Sequence, residues 1–396
     1  MKKRLLYYDV FPHINHKNAL VITGMRQVGK TTLMRQIFDE IEGKPKIWLD
    51  LDNPLDQKVF EDVDYRNVYF RLAKMAEGQE RDRLFVFVDE IQNFPEITKI
   101  IKYLIDHFGV KFVVTGSSSF YLKNLFPESL SGRKFLFNLA SLNFKEYLYF
   151  KDKISLEGAR KVNLEKTLRR TEIFEFKKFE LDYEDYLQFG GFPEVVLTND
   201  TETKRQILKN IFASFFEKDL KILSDHRDIR ELRDFILLLV PRVGSLLDIT
   251  KLAGELGVDR PKVYGFLEFL QGTFFIKLLP KFSRSIDRTV AGGRKVYFSD
   301  TGILNTVGQV NEAQLFENAV INQLSAYGSV SFYRKKNTSE IDVILDGKTA
   351  FEIKLKGTEN DLRKVSKIAR SIKIKEVFII SKDFTDKKKV ITGSSL

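Results

Sequence analysis

Residues 18–38, NALVITGMRQVGKTTLMRQIF, decide the fold of the first part of the chain. A short apolar run is followed by a glycine-rich loop and then by a helical pattern. The loop satisfies the spacing G-x-x-x-x-G-K-[ST], in which backbone N–H groups turn inward around phosphate groups. The strand before it and the helix after it are the context that this motif requires. The segment therefore predicts a phosphate-binding loop made of Gly24, Met25, Arg26, Gln27, Val28, Gly29, Lys30, Thr31 and Thr32.

Each part of this loop has a predicted role in holding ATP. Lys30 is expected to reach the β- and γ-phosphates, and the Thr31 hydroxyl is expected to bind Mg²⁺. A second apolar run, RLFVFVDEIQNFP, ends in Asp89 and Glu90. An unbroken apolar run is typical of a buried parallel strand. Asp89 is predicted to bind Mg²⁺ directly or through water, and Glu90 to orient and deprotonate the attacking water.

Two further positions complete the predicted nucleotide site. KFVVTGSSS predicts a third strand, and Thr115 or Ser117 at its carboxyl end would reach the γ-phosphate side. Small polar residues after a strand are also common in turns. Arg133 follows a Ser-Gly turn, and arginine suits the charge on a transferring phosphoryl group, in the same chain or from a neighbouring subunit. A solvated arginine in a basic loop is the alternative.

Composition limits the class of protein. The 396 residues are 43% hydrophobic and 13% aromatic, which indicates a folded chain of two to four domains. The net charge of +11 is compatible with a polyanionic partner. The absence of cysteine excludes disulfides and thiolate metal sites. No signal peptide or membrane-spanning run is recognisable, so the sequence predicts a cytoplasmic protein without a membrane partner.

The middle of the chain predicts helices and then a helix-turn-helix. In SLLDITKLAGELGVDRPKVYGFLEFLQ, Gly257 marks the turn, Asp259 a helix cap and Pro261 the first turn of the second helix. The following basic segment, KFSRSIDRTVAGGRK, suggests a wing. Basic residues on the second helix and wing suit phosphate contacts on a duplex: Arg260, Lys262, Arg284, Arg288, Arg294 and Lys295. A winged helix that serves only for packing is the alternative.

The segment EIDVILDGKTAFEIKLKG, residues 340–357, predicts a hairpin with acidic residues on one side. Asp342 lies on its first strand, and Glu352 and Lys354 lie two apart on its second, so both point to one face. Upstream, Glu317 lies on a predicted helix. The set resembles the core of PD-(D/E)XK nucleases, in which Asp342 and Glu352 would bind a divalent metal and Lys354 would position the attacking water. Whether such a site cleaves or only binds DNA stays open.

Together, GMRQVGKTTL, VFVDEIQ, VVTGSSS and LSGR resemble the archaeal and bacterial AAA-type ATPases that carry an uncharacterised C-terminal domain. GGFPEVVL and GRKVYFSDTGILN fit the same family. The resemblance implies an α/β protein with a parallel-sheet P-loop ATPase domain (1–145), a helical lid (146–240), a winged helix (241–300) and a restriction-endonuclease-like α/β domain (301–396). It also implies that Thr115 or Ser117 is the sensor residue of AAA-type ATPases.

Two functions follow from these predictions. The first is an Mg²⁺-dependent ATPase that binds DNA, including branched or repair-related DNA, through the winged helix and the nuclease-like domain. The second is an NTP-driven signalling or scaffold ATPase with protein partners and an inactive nuclease-like domain. If Arg133 acts on a neighbouring subunit, the protein is a homo-oligomer. Dependence of DNA binding on salt would separate the two functions.

Overall fold

The chain divides into two units in the computed structural model, which describes residues 2–77, 83–116, 132–160, 168, 172–219, 226–285, 292–335 and 339–396. The first unit comprises Met1–Ala140 with Gly272–Phe274. The second comprises Ser141–Gln271 with Phe275–Leu396.

The first unit is built on a five-stranded parallel sheet with the strand order β2-β3-β4-β1-β5. Its strands are β1 (Ala19–Thr23), β2 (Lys46–Asp50), β3 (Phe85–Asp89), β4 (Lys111–Gly116) and β5 (Lys134–Asn138). Its helices are α1 (Tyr7–Val10), α2 (Lys30–Glu40), α3 (Pro54–Lys58), α4 (Tyr65–Met75) and α5 (Ile97–Phe108).

Burial explains why these runs form the centre of the sheet. Every residue of β1, β3 and β4 is buried, as expected for strands covered on both faces. Apolar side chains of α4 and α5 pack with alternate residues of the central strands in one core cluster. The predicted α/β class with a parallel-sheet core is confirmed. Because parallel strands share one carboxyl edge, the ends of β1, β3 and β4 lie next to each other there.

The second unit begins with helices. They are α6 (Phe144–Phe150), α7 (Leu156–Arg160), α8 (Ile173–Phe189), α9 (Pro193–Leu197), α10 (Thr201–Ser214) and α11 (His226–Leu239). The helix pair of the predicted helix-turn-helix follows as α12 (Ile249–Leu256) and α13 (Arg260–Gly272). Gly257 has a φ of 69° at the turn, and the Asp259 carboxylate accepts a hydrogen bond from the N–H of Lys262 at 3.0 Å. An antiparallel pair, β6 (Ile276–Pro280) and β7 (Arg294–Phe298), comes next. Its identity as a winged helix stays a prediction.

Two sequence motifs of the second unit contact each other. The Asp300 carboxylate caps α14 (Thr301–Val307) and accepts a hydrogen bond from the N–H of Gly191 at 2.8 Å. A Cβ atom at Gly190 would lie 2.0 Å from an oxygen of Asp300, so only glycine fits there. Burial raises the pKa of the Asp300 carboxyl, and the backbone N–H groups around it oppose that rise. Asp300 therefore holds together the segments GGFPEVVL and FSDTGILN through hydrogen bonding and close packing.

The end of the second unit is a mixed five-stranded sheet with the order β12-β11-β10-β9-β8. Strand β9 (Ser339–Leu345) is antiparallel to both of its neighbours, β8 (Val330–Lys335) and β10 (Thr349–Lys354). Strands β10, β11 (Glu376–Ser381) and β12 (Val390–Thr392) run parallel to one another. Helix α15 (Glu312–Leu324) precedes the sheet, and α16 (Glu359–Ser371) connects β10 to β11. The nuclease-like assignment and the four predicted domain limits stay predictions. Within the described ranges, no helix is both long and apolar enough to cross a membrane.

Candidate functional site

The loop between β1 and α2 has the backbone shape that phosphate binding requires. Gly24, Gln27 and Gly29 all have positive φ angles, of 151°, 61° and 95°. A Cβ atom at Gly24 would lie 2.1 Å from the carbonyl oxygen of Leu139, so this position accepts only glycine. Helix α2 begins at Lys30, directly after the loop. Its positive N-terminal end therefore faces the loop, where a phosphate group would be stabilised.

The side chains of the loop divide between core and surface. Met25 and Val28 are buried and anchor the loop, whereas Gln27 is exposed and Arg26 and Thr32 are half-buried. The Nζ atom of Lys30 donates a hydrogen bond to the carbonyl oxygen of Met25 at 2.9 Å. The lysine thus lies folded along the inner side of its own loop.

Three polar side chains meet at the carboxyl edge of the sheet. Asp89, at the end of β3, accepts hydrogen bonds from the hydroxyls of Thr31 and Thr115. Asp89 is 4% exposed, and burial raises the pKa of its carboxyl while the two hydroxyls oppose that rise. The arrangement brings together three residues predicted from separate segments of the sequence. Ser117, the other candidate for the Thr115 role, lies outside the described residues.

Glu90 follows Asp89 in a left-handed conformation, with a φ of 51°. This conformation is uncommon for a residue with a side chain and is concentrated at functional sites. The Glu90 N–H donates to Thr115 Oγ1 at 3.2 Å, and the Glu90 carboxylate accepts a hydrogen bond from Gln92. Asp50, at the end of β2, pairs in register with Asp89 and caps the N–H of Asp52. The carboxylate of Glu90 is therefore held at the same edge as Asp89.

Arg4 supports the loop from the N-terminal segment and was not predicted. Its two terminal nitrogens donate to the carbonyl oxygens of Val28 at 2.6 Å and Ala140 at 2.8 Å. The side chain is buried, so these charge-assisted bonds are shielded from water. No local motif surrounds Arg4 in the sequence, because the contact depends on a separation of 24 residues.

Arg133 lies at the opposite edge of the sheet from its own phosphate loop. Its carbonyl oxygen accepts the N–H of Ala19, which opens β1, whereas the loop follows the end of that strand. Five strand residues separate the two edges by about 16 Å. The Arg133 side chain forms an ion pair with Asp106 at 2.7 Å. The structure therefore places Arg133 away from the phosphate loop of its own chain, and its role toward a nucleotide stays a prediction.

A second group of ionisable residues lies on the sheet of the second unit. Continuing the register of β9 and β10 places Asp342 opposite Glu352 on one face. The Asp342 carboxylate accepts the N–H of Ile353 at 2.8 Å, and Lys354 Nζ donates to Glu352 Oε1 at 2.8 Å. Burial, followed by the nearby Asp342 carboxylate, raises the pKa of Glu352 to about 7.

Glu317 on α15 joins this group, together with three residues that were not predicted to do so. Tyr297 donates its hydroxyl to Glu317 Oε1 at 2.6 Å. Lys295 Nζ lies 3.9 Å from the same oxygen and 2.6 Å from Glu340 Oε1. Burial and the Asp342 carboxylate raise the pKa of Glu317 to about 7. We call Lys295, Tyr297, Glu317, Glu340, Asp342, Glu352 and Lys354 the carboxylate cluster.

The carboxylate cluster has donors that suit a divalent cation. Four carboxylates face two lysines, and the Oε2 atom of Glu352 is buried without a hydrogen-bond partner. Carboxylate oxygens are the ligands that Mg²⁺ prefers. Among the described residues, however, no three His, Cys, Asp or Glu side chains are arranged to hold a metal ion. Asp342 and Glu352, which lie opposite each other on β9 and β10, are the two carboxylates of the cluster that could bind a cation.

The basic residues predicted for duplex binding are partly committed elsewhere. Lys262 forms ion pairs with Asp228 at 2.6 Å and with Glu231. Lys295 is 3% exposed and belongs to the carboxylate cluster, so its predicted place on the surface of a wing is wrong. Arg294 is exposed, and Arg288 lies outside the described residues. The helix-turn-helix therefore has fewer available cations than its sequence indicates.

Three segments of the chain match known protein families. Residues 16–148 match an AAA domain. Residues 180–314 and 312–392 match two models described as domains of unknown function, DUF8612 and DUF4143. An uncharacterized protein of Methanocaldococcus jannaschii is 25% identical over 391 residues, which cover 95% of this chain and 84% of that protein. An uncharacterized protein of Haemophilus influenzae is 26% identical, over 82% of this chain and 78% of that protein.

Solved structures overlap with the chain only loosely. Cdc6p from Pyrobaculum aerophilum has a TM-score of 0.32 at 11% identity, covering 80% of this chain and 92% of that one. At this score the superposition supports no inference about function.

Proposed function

We propose that the protein is a Mg²⁺-dependent ATPase. The observation that carries this proposal is the meeting of Thr31, Asp89 and Thr115 beside the loop that ends at Lys30. The match of residues 16–148 to an AAA domain supports it independently. Hydroxyl and carboxylate oxygens are the ligands that Mg²⁺ prefers, so Thr31 and Asp89 fit a site for this ion.

Each residue then has a role in hydrolysis. The loop N–H groups and the Lys30 ammonium bind the phosphates of ATP, and Mg²⁺ when bound neutralises charge on them. Thr115 holds Asp89 and the Glu90 backbone in place through the hydroxyl that contacts both. The Glu90 carboxylate orients the attacking water and accepts its proton.

Phosphate release from ATP tests this proposal. The wild type is expected to release phosphate only with Mg²⁺, and Lys30→Ala to lose both nucleotide binding and release. Glu90→Gln should keep binding but lose at least about a hundredfold in kcat. Lys17→Ala and Glu96→Gln change an exposed cation and an exposed carboxylate of the same unit and serve as matched controls. A wild type that binds no ATP in the presence of Mg²⁺ would disprove the proposal.

We further propose that the second unit binds DNA and that the carboxylate cluster is its metal site. Asp342 and Glu352 would hold the cation, and Lys354 would position a water near it. The buried, unpartnered oxygen of Glu352 supports this assignment. Burial and then the Asp342 charge raise the pKa of both neighbouring glutamates, and a bound cation would oppose that rise, which also supports the assignment.

Binding and cleavage of linear and four-way-junction DNA, with Mg²⁺ or Mn²⁺ and with or without ATP, test this second proposal. Cleavage lost in Asp342→Ala but kept in Lys30→Ala would establish a nuclease separate from the ATPase. Binding without cleavage would make the second unit a DNA-holding module. Asp346→Asn, at the turn after β9, removes a carboxylate at a position where the φ is 49° and asparagine is tolerated, and is the control for Asp342→Ala.

The alternative is an ATP-driven signalling or scaffold protein with an inactive nuclease-like domain. The ion pairs of Lys262 with Asp228 and Glu231 favour it, because they use a predicted DNA contact for internal packing. Absence of DNA binding at low salt would select this alternative, whereas a steep fall of affinity with salt would exclude it.

A further inference from the structure

A basic cleft of about 780 Å³ lies within the second unit. Its walls are the segment after β6, the end of β8 and the C-terminal end of α16. Arg284 closes one side by donating to the carbonyl oxygen of Ile372 at 3.2 Å. No acidic side chain is among the described residues that line it, whereas five basic ones are: Lys281, Arg284, Arg334, Lys335 and Lys373. This concentration of one sign of charge favours a polyanion.

Two aromatic side chains also line the cleft. Phe282 and Tyr333 are half-buried and pack against the apolar core of the second sheet. The N–H of Phe282 donates to the carbonyl oxygen of Phe332 at 2.6 Å, which fixes this segment beside β8. The aromatic rings are therefore held by the sheet. Aromatic rings between cations provide stacking surfaces for unpaired bases beside contacts for phosphates.

The cleft borders the carboxylate cluster. Arg334 Nε lies 3.7 Å from Glu340 Oε2. Glu340 in turn pairs with Lys295, which contacts Glu317. A strand held in the cleft would thus lie beside the Glu340 side of the carboxylate cluster.

We propose that this cleft binds a single-stranded segment of nucleic acid. Its phosphates contact the basic side chains, and one or more bases stack on Tyr333 and Phe282. A volume of about 780 Å³ lies in the range of small-ligand pockets and is large enough for unpaired nucleotides. The inference deepens the proposed DNA binding of the second unit and rests on it.

Fluorescence anisotropy with a labelled 15-nucleotide dT strand and a blunt hairpin duplex of equal charge tests the inference. Measurements in EDTA without ATP separate binding from cleavage and from the ATPase. The wild type should bind the single strand more tightly than the duplex. Tyr333→Leu, which keeps an apolar side chain in the core, should weaken single-strand binding about tenfold and leave duplex binding unchanged.

A charge variant supplies a second readout. Lys281→Gln combined with Lys373→Asn should lower the slope of log affinity against log salt by about 1.4 for the single strand. Asparagine is chosen at position 373 because the φ there is 61°. Lys387→Gln combined with Lys388→Gln removes the same charge just before β12, at the other edge of the sheet, and should leave affinity and slope at wild-type values. Melting temperatures check that all variants fold.

The outcomes separate the inference from the function on which it rests. Preference of the wild type for the duplex would overturn the inference and leave the proposed DNA binding intact. Wild-type binding of the single strand that neither the Tyr333 variant nor the cleft charge variant changes would also overturn it. Binding of neither probe at low salt would overturn the DNA-binding proposal itself.

Discussion

The ammonium group of Lys295 lies 2.6 Å from a carboxylate oxygen of Glu340, although these residues belong to different sheets of the second unit. Lys295 is 3% exposed, and burial alone would lower its pKa. The surrounding carboxylates of Glu317, Asp342 and Glu340 more than offset this and raise the pKa of Lys295. The lysine is therefore an internal cation of the carboxylate cluster.

Replacing this cation should destabilise the second unit and increase its response to metal. Lys295→Met leaves buried carboxylates without their counter-charge, so unfolding should become easier by about 3 kcal/mol. Mg²⁺ or Mn²⁺ should restore more of the melting temperature in this variant than in the wild type, because a cation takes over the lost charge. Scanning calorimetry measures both effects. Lys251→Met, on an exposed position of α12, is the control and should change neither. A melting temperature of Lys295→Met equal to that of the control would refute this account.

The bonds of Arg4 predict that a residue outside the phosphate loop affects nucleotide affinity. Arg4→Gln removes charge-assisted hydrogen bonds to Val28 and Ala140, each worth about 1.5–3 kcal/mol. We expect a KM for ATP about tenfold higher, together with a lower melting temperature of the first unit. Fluorescence of Trp48, the only tryptophan in the chain, reports on that unit. Lys17→Gln is the exposed control. Loss of stability with an unchanged KM would show that Arg4 supports only the fold.

A Thr115 variant tests whether holding Asp89 and Glu90 in place matters for hydrolysis, because it leaves both carboxylates in the site. Thr115→Val keeps the shape of the side chain but removes the hydroxyl that contacts Asp89 and the Glu90 N–H. We expect kcat for ATP hydrolysis to fall at least about tenfold with little change in nucleotide affinity, because Lys30 and the loop are unaltered. Thr98→Val, at a buried threonine of α5 whose hydroxyl donates to the carbonyl oxygen of Pro95, is the matched control. Equal kcat values for the two variants would remove the proposed role.

The sequence predicts the parts of the site whose residues are adjacent in the chain or lie two apart on one strand, and so on one face. Gly24, Gly29 and Lys30 lie within one loop, and Asp89 ends an unbroken apolar run. Glu340 was missed although it lies two residues before Asp342 and therefore shares its face. That signal was available from the alternation of the strand.

Other contacts are set by packing that no local pattern encodes. Arg4 reaches a carbonyl 24 residues away. Lys295 was assigned to a wing because basic residues surround it, yet the packing of β7 against α15 turns it inward. The prediction for Arg133 rests on its neighbours in sequence, and only the parallel register of β5 with β1 reveals at which end of the strands it lies. Long-range packing decides all three positions.

Lys111 predicts a dependence of stability on pH in the first unit. Its Nζ atom is buried and donates to the carbonyl oxygens of His13, His16 and Asn18 at 2.6–3.0 Å. Burial lowers the pKa of Lys111 to about 7. Between pH 7 and 10.5 Lys111 therefore keeps its proton in the unfolded chain but not in the folded chain. The contribution of Lys111 to the free energy of unfolding rises with pH over this range by at most about 1.4 kcal/mol per pH unit.

Melting of wild type and Lys111→Met between pH 6 and 10, followed by Trp48 fluorescence, measures this contribution. The difference in melting temperature in favour of the wild type should grow above pH 7 and stay constant below it. Lys44→Met, an exposed lysine of the same unit, should follow the wild-type profile. A difference between wild type and Lys111→Met that does not depend on pH would mean that the buried amine keeps its proton throughout.

Arg133 predicts that hydrolysis depends on assembly. Its ion pair with Asp106 holds it at the edge of the sheet remote from its own phosphate loop, so a contact with ATP requires a second subunit. We expect the rate per chain to rise with protein concentration and Arg133→Ala to lower kcat by a factor of about 10³. Asp106→Ala breaks the same ion pair but keeps the arginine, and should retain most of the activity. If the two variants lose activity equally, the ion pair is structural. A fully active monomer would exclude a contribution from a neighbouring subunit.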